Sequence, residues 1–234
     1  MNFIKTLLID KKFRYPRIWS NRELAKFSDT FSGNIINVSG WKDEDKEGSE
    51  YKDYFPLKNT YTVSNFKPEA RGYQGNIGEV YLDLESVLDE DLKHKFDVAF
   101  NHTVLEHVYD INMAVKNLCL LSKQFIVIVV PFIQEQHADY GDYWRFTPLA
   151  IRKLFEQNGK ELIYINYNDS DKESIYIFAV AAGEGVEDTL KELVVNKDGN
   201  KINEIDQHML GKRIIKNNIF STISYYITNK FRKR

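Results

Sequence analysis

Residues 96–110 read FDVAFNHTVLEHVYD, and residues 125–147 read FIVIVVPFIQEQHADYGDYWRFT. The first segment predicts a buried strand, Phe96–Phe100, that runs into polar residues and the start of a helix. The second predicts a wholly apolar strand, Phe125–Val130, that ends in Pro131 and a loop of charged and aromatic residues. Open α/β sheets bind their ligands beyond the carboxyl ends of the strands. This pair of strands therefore predicts a ligand site at one edge of a sheet.

The remaining sequence alternates short apolar runs with amphipathic segments. The further predicted strands are Asn34–Val38, Tyr61–Ser64, Glu79–Leu82, Glu161–Tyr167 and Ser174–Ala181. The predicted helices are Ser20–Phe31, Leu84–Lys93, Ile111–Leu121 and Pro148–Asn158, the last with Thr147 as its cap. The predicted fold class is α/β: a Rossmann-like, doubly wound and mostly parallel sheet with helices on both faces and an antiparallel edge.

The chain has 234 residues, of which 43% are apolar, and this suits one domain with appendages. We predict an N-terminal helical segment at residues 1–33, a main domain at 34–183 and a C-terminal extension at 184–234. Beyond Asp206 the chain has no acidic residue, and basic residues alternate with apolar ones. The net charge of -2 gives no general attraction to nucleic acid, so no nucleic-acid partner is expected.

A cytoplasmic protein is expected, because the N-terminus lacks the features of a signal peptide and no apolar run is long enough to span a membrane. The single cysteine, Cys119, excludes a disulfide framework and fits a reducing compartment. The basic tail favours peripheral contact with anionic lipid at the inner face of the membrane. A solvated helix and a helix that docks on a partner protein are the alternatives.

Four segments carry a family resemblance: NIINVSG (34–40), LDLE (82–85), FDVAFNHTVLEHV (96–108) and VVPF…DYWRFTP (129–148). Together they resemble class I S-adenosylmethionine-dependent methyltransferases of the methyltransferase type 11 kind, over about residues 34–182. The DYWRFTP segment is similar to members that accompany surface-polysaccharide biosynthesis genes. The resemblance implies S-adenosylmethionine as the cofactor and transfer of its methyl group to a small-molecule or glycan acceptor, with a sugar hydroxyl as the favoured target.

The resemblance also implies where the cofactor binds, across the carboxyl ends of the first four strands. The implied cofactor-binding residues are Asn37, Ser39, Gly40, Asn65, Asp83, Leu84, Asn101 and His102. Asn37 and Asn65 stand where the family usually has acidic residues, and the loop after the first strand is poor in glycine. A second hypothesis is therefore a catalytically inactive, methyltransferase-like binding or scaffold protein in a surface-glycan pathway. A nucleotide-sugar enzyme of the Rossmann type is a weaker alternative, because the chain has no GxGxxG motif.

The loop after the apolar strand supplies the predicted catalytic residues, His137, Asp142 and Arg145. His137 would take the proton of an attacking hydroxyl, Asp142 would orient the histidine, and Arg145 would bind an anionic group of the acceptor. The alternative is an ion pair between Asp142 and Arg145 that only fixes the loop. His107 is expected to be structural. No metal site is predicted, because HADYGD has no second histidine near it in the sequence.

Overall fold

The computed structural model describes residues 10–67, 72–137, 141–207 and 210–212. Its helices and strands follow in the order α1 (Arg14–Ala25), β1 (Ser32–Val38), β2 (Leu57–Asn65), β3 (Glu79–Tyr81), β4 (Phe96–His102), α2 (Ile111–Leu121), β5 (Ser122–Ile133), α3 (Pro148–Glu156), β6 (Glu161–Tyr167), β7 (Ile175–Ala182) and α4 (Asp188–Val195). Short 3-10 turns cover Tyr51–Tyr54, Glu90–Leu92, Leu105–His107 and Ile202–Glu204.

The strands form one seven-stranded sheet in the order β3-β2-β1-β4-β5-β7-β6. The pairs from β3 across to β5 are parallel, whereas β7 is antiparallel to both β5 and β6. The predicted fold class, including the antiparallel edge, is confirmed. The chain leaves β1 toward β2 on one side and returns to β4 on the other, so the strand order reverses between β1 and β4. This reversal is where open α/β sheets leave a crevice for a ligand.

Both faces of the sheet are covered, as the apolar composition of its central strands requires. Alternate residues of a strand point to opposite faces, and Ile35 and Ile36 of β1 accordingly belong to two different apolar clusters. One cluster contains residues of α2 and α3, and the other contains Phe27, Phe31 and residues of α1 and α4. The segments on either side of the predicted main domain therefore share its core.

The first helix begins six residues earlier than the predicted Ser20–Phe31 and ends at Ala25. Ser20 is not its cap, because this residue is buried inside the helix and its hydroxyl donates to the carbonyl of Arg17. Phe27 and Phe31, which the helical spacing had included, instead pack from a series of turns against the sheet. The prediction of a helix was right, and its boundaries were wrong.

The predicted helix Leu84–Lys93 is wrong, since this segment forms turns and one short 3-10 helix at Glu90–Leu92. The amide of Asn117 in α2 donates to the carbonyls of Leu84 and Ser86 at 2.9 and 2.7 Å. These carbonyls therefore bond to a distant side chain rather than to the backbone amides of a following helical turn. A single-residue contact across the fold overrides the local pattern.

Helices α2 and α3 confirm their predictions, and Thr147 caps α3 by accepting a hydrogen bond from the amide of Ala150. Helix α4 lies in a polar stretch for which no helix was predicted; its Val194 is fully buried. The basic tail, from residue 213 onward, lies outside the described residues. Within the described ranges, each helix is too short or too polar to cross a lipid bilayer.

Candidate functional site

A cavity of about 440 Å³ opens beyond the carboxyl ends of β1, β2 and β4. This volume is typical of sites for small organic ligands. Its wall combines backbone and side chains from the first helix, the loop after β1, the segment after β3 and the segment after β4. The residues that line it and enter the argument below are Arg17, Asn37, Ser39, Gly40, Trp41, Tyr51, Asn65, Asp83, Leu84, His102, Thr103, His107, Tyr109 and Tyr143.

The loop after β1 is built from strained backbone instead of glycines. Ser39, Trp41, Asp43 and Lys46 all have positive φ, between 49° and 66°, a conformation that non-glycine residues adopt at a cost of about 1–2 kcal/mol each. Gly40 is required for a different reason, because a Cβ there would lie 2.4 Å from the side-chain nitrogen of Asn37. The chain thus brings its backbone close to the cavity with one glycine.

Buried hydrogen bonds hold this loop in place. The amide of Asn37 donates to the Asp43 carboxylate at 2.6 Å, and the hydroxyl of Tyr61 donates to the same oxygen at 2.7 Å. Burial raises the pKa of Asp43, and these two donors oppose that effect. Asn37 lines the cavity, and its amide is directed to the loop.

Asn65, at the end of β2, fixes the backbone of Trp41. Its side-chain oxygen accepts from the Trp41 amide at 2.7 Å, and its side-chain nitrogen donates to the Trp41 carbonyl at 3.2 Å and to Glu79 at 2.6 Å. A carboxylate at position 65 could not donate the hydrogen bonds to the Trp41 carbonyl and to Glu79. The asparagine therefore has a structural reason to stand there.

The end of β4 carries the two polar residues that the sequence singled out, and they lie differently. His102 lines the cavity, and its two ring nitrogens lie 2.8 Å from the Ser20 hydroxyl and 3.1 Å from the Thr103 hydroxyl. Asn101 is fully buried outside the lining, where its amide donates to the carbonyl of Val38 at 3.0 Å. Asn101 thus ties β4 to β1.

We expect His102 to make the stability of the protein depend on pH. Burial, helped by the nearby charge of Arg17, holds the pKa of His102 well below its usual value. The unfolded chain therefore binds a proton near pH 6.5 that the folded chain does not, and stability falls as the pH falls below that value. The free energy of unfolding of His102→Gln should fall less steeply with falling pH than that of the wild type, by up to about 1.4 kcal/mol per pH unit. Urea unfolding between pH 6.5 and 5.5 measures both slopes.

The exposed His94 offers the control for this measurement. His94→Asn should keep the slope of the wild type, and asparagine tolerates the positive φ of 50° at that position. Equal slopes in the wild type and His102→Gln would contradict the expectation.

Arg17 of α1 is a cavity residue that the sequence pattern did not indicate. Its guanidinium donates to the hydroxyl of Tyr51 and to that of Thr103, both at 3.0 Å. The predicted helix began at Ser20 and left Arg17 outside it, so no helical face placed this residue. The structure puts a permanent positive charge beside His102 at the end of β4.

Asp83 and Leu84 line the opposite end of the cavity, after β3. The Asp83 carboxylate accepts from the amide of Glu85 at 2.9 Å and from the hydroxyl of Ser86 at 2.7 Å. Leu84 is buried against the same wall. This end therefore joins an apolar surface to a fixed carboxylate.

The three predicted catalytic residues come together behind the cavity wall and not in its lining. Arg145 binds Asp142 through two hydrogen bonds of 2.5 and 2.8 Å, and this contact lowers the pKa of Asp142 to about 2. Arg145 also donates to the carbonyls of Gln134 and Glu135. The backbone amide of His137 donates to Asp142 at 2.8 Å. These contacts favour the ion-pair alternative, and the catalytic role of the trio stays a prediction.

Solved structures with the same topology identify the fold. A candidate methyltransferase from Bacillus halodurans superposes with a TM-score of 0.51 at 11% identity, over 69% of this chain and 97% of that one. A chain of the complex between the Haloferax volcanii Trm112 methyltransferase activator and a candidate methyltransferase gives 0.51 at 10% identity, over 73% and 91%. The chain has a Rossmann-like methyltransferase fold. No protein-family profile matches it, and no curated protein is similar enough in sequence to count as a match.

In this methyltransferase fold, the cavity wall after β4 includes His107 and Tyr143, which the turn Leu105–His107 and the segment Asp142–Phe146 support from behind. The carbonyl of Glu106 accepts from the amides of Tyr143 and Trp144, and the indole of Trp144 donates to the carbonyl of Val108. His107 lines the cavity, and its ring lies 5.1 Å from that of His137. The predicted loop therefore supports the cavity wall through His107 and Tyr143.

Proposed function

We propose that the protein is an S-adenosylmethionine-dependent methyltransferase. The observation that carries the proposal is the cavity at the strand reversal between β1 and β4, because all the predicted cofactor residues except Asn101 line it. The methyltransferase fold supports the same conclusion. When bound, S-adenosylmethionine would supply a methyl group on a positively charged sulfur, and transfer of that group to a nucleophile would break the methyl–sulfur bond and leave S-adenosylhomocysteine.

The lining divides into regions that suit the parts of this cofactor. Leu84 offers an apolar surface for the adenine, and the Asp83 carboxylate can accept from its amino group. The side-chain oxygen of Asn65 has a second lone pair beside its bond to the Trp41 amide, and this can accept from a ribose hydroxyl. Arg17 and His102, at the other end, would hold the amino-acid part, since a guanidinium binds a carboxylate through paired hydrogen bonds. The strained loop at Ser39–Lys46 brings backbone groups to the region between them.

The open side of the cavity supports a sugar-like acceptor. Tyr109 is 69% exposed and Tyr143 is 51% exposed, although their rings lie only 5.3 Å apart at the cavity wall. Exposed aromatic rings provide an apolar surface with a polar tip, on which the apolar face of a sugar ring can pack. We therefore propose a hydroxyl of a sugar or glycan as the methylated group, in surface-polysaccharide biosynthesis in the cytoplasm. Peripheral membrane contact through the basic tail is part of the same proposal and rests on its sequence.

The catalytic contribution expected of these residues is mainly orientation. Holding the acceptor oxygen in line with the methyl group removes much of the entropic barrier to the reaction. The predicted role of His137 as the base would add proton removal from that oxygen. The ring of His137 contacts the ring of His107, which lines the cavity.

The experiment is a methyl-transfer assay with isotopically labelled S-adenosylmethionine and a set of nucleotide sugars, glycosides, catechols and amines. Methylation of a sugar hydroxyl, reduced by Tyr109→Ala and by Tyr143→Ala, would support the proposal. Transfer only to amines or catechols would reject the sugar acceptor and keep the methyltransferase. Cofactor binding without turnover on any acceptor would favour the non-catalytic scaffold protein.

A further inference from the structure

Glu106, His107 and His137 bring potential metal ligands together beside the cavity. One ligand atom from each of the three lies within 4.8 Å of the others. Glu106 and His107 follow β4, whereas His137 follows β5, so the cluster joins the carboxyl ends of two neighbouring strands. No sequence pattern indicated this cluster, because the two histidines are 30 positions apart in the chain.

Glu106 is the most unusual member of the cluster. It is fully buried, and neither oxygen of its carboxylate has a hydrogen-bond partner among the described residues. An isolated buried carboxylate is strongly unfavourable unless a positive charge or donors compensate it. The interior of the protein thus presents a carboxyl group that either keeps a proton, since burial raises the pKa of Glu106 to about 8, or binds a cation in its place.

The hydrogen bonds of the two histidines define which nitrogens can act as ligands. The Nδ1 atom of His107 lies 2.6 Å from the carbonyl oxygen of Gly141, and a carbonyl can only accept, so Nδ1 carries the ring proton. A neutral imidazole then has its lone pair on Nε2, which lies 3.8 Å from Glu106 Oε1. Two acceptors that face each other at this distance are favourable when a cation lies between them.

His137 also has acceptors beside one of its ring nitrogens. Its Nδ1 atom lies 3.3 Å from the carbonyl oxygen of Glu135 and 3.4 Å from Oδ2 of Asp142. A ring nitrogen bonded to a carbonyl, with the other nitrogen on the ion, is the usual support of a metal-ligating histidine. Both histidines therefore have a bond that orients the ring.

We propose that Glu106, His107 and His137 bind one divalent transition-metal ion, of which Zn²⁺ fits the donor set best. Two imidazoles and one carboxylate are a common zinc ligand set. Ligand atoms about 2.1 Å from a tetrahedral zinc are about 3.4 Å apart, so binding would draw the three side chains closer together. The ion would fix the loop of His137 to the turn that carries His107, behind the cavity wall.

The proposal rests on these side chains and not on the proposed methyltransferase activity. A His137 ring that binds the ion through one nitrogen and donates through the other cannot also be the base, so the two roles of His137 are alternatives. The experiment uses the full-length, tag-free protein after treatment with a chelator. Zn²⁺ is titrated by calorimetry, the visible absorption of bound Co²⁺ reports nitrogen and oxygen ligands, and Mg²⁺ serves as an ion that imidazole does not suit. We expect one tight Zn²⁺ site per chain and no comparable Mg²⁺ binding.

Variants connect the binding to the cluster. Glu106→Gln and His137→Ala should each weaken Zn²⁺ binding by at least about 10-fold, the smallest loss usual for groups that only support a ligand. His94→Asn, which removes an exposed histidine elsewhere, should bind Zn²⁺ like the wild type. His137 is only partly buried, so His137→Ala tests the site even where Glu106→Gln fails to fold. Wild-type affinity in His137→Ala, or the absence of a stoichiometric Zn²⁺ site, would overturn the proposal.

Discussion

Arg17→Met is expected to weaken the binding of S-adenosylhomocysteine by about 10- to 100-fold, which corresponds to the loss of a hydrogen bond between charged groups. The guanidinium stands at the end of β4, beside Thr103 and His102, where the proposed function puts the amino-acid part of the cofactor. Methionine keeps much of the length and the apolar stem of arginine but removes its charge and donors. Calorimetric titration of both proteins measures the difference.

Two comparisons separate a contact with the ligand from a general disturbance of the cavity. Arg14→Met changes an exposed arginine of the same helix, and wild-type affinity is expected for it. Adenosine lacks the carboxylate, so Arg17→Met should bind it as the wild type does. An equal loss of affinity for adenosine and for S-adenosylhomocysteine would show that Arg17 only maintains the structure around Tyr51.

Asp142→Asn is expected to lower the free energy of unfolding by about 2–3 kcal/mol at pH 7. Only 1% of the Asp142 side chain is exposed, and it accepts two hydrogen bonds from Arg145 and one from the amide of His137. Asparagine keeps the shape of the side chain, removes its charge and turns one of the two acceptors into a donor. The guanidinium of Arg145 then loses its counter-charge. Urea unfolding measures the change.

A double-mutant cycle with Arg145→Met tests whether the loss belongs to this pair. The double variant should be no less stable than Asp142→Asn, because the uncompensated guanidinium is gone. A loss of stability in the double variant equal to the sum of the losses in the two single variants would contradict a coupled pair. Catalytic measurements on the same proteins address the predicted catalytic trio, since a purely structural pair changes stability without a matching change in the pH profile of the reaction.

The sequence predicted the elements that depend on local chemistry. Helix α3 carries its own start signal, because Thr147 caps it and Pro148 occupies its first turn. Strand β5 is so uniformly apolar that a sheet buried on both faces is its natural place. The order of these elements along the chain was sufficient to predict the mostly parallel sheet and its antiparallel edge.

Contacts between distant residues decide the features that the sequence did not predict. The side-chain amide of Asn117 donates to the backbone carbonyls of Leu84 and Ser86. These carbonyls then do not accept from a following helical turn, although the local pattern favoured a helix. Arg17 reaches the cavity only because α1 begins before Ser20. Neither the hydrogen bonds of Asn117 nor the early start of α1 produces a periodic pattern in the sequence.

The candidate site shows the same division. The residues at the strand ends, such as Ser39, Asn65 and His102, could be predicted from the family resemblance and line the cavity. For the loop residues the sequence left two interpretations open, a catalytic trio and an ion pair between Asp142 and Arg145, because their roles depend on where the loop folds back. Arg145 meets Asp142, three residues before it, and His137 meets His107 across two strands.

Calorimetric titration of the unaltered protein with S-adenosylhomocysteine tests the central claim most directly. We predict saturable binding to one site per chain, together with a rise in the thermal unfolding midpoint, since a ligand that binds only the folded state stabilises it. Gly40→Val, whose side chain would collide with Asn37 in the cavity wall, should abolish the signal in a protein that stays folded. No heat and no thermal shift with the unaltered protein at millimolar ligand would contradict a cofactor site in this cavity.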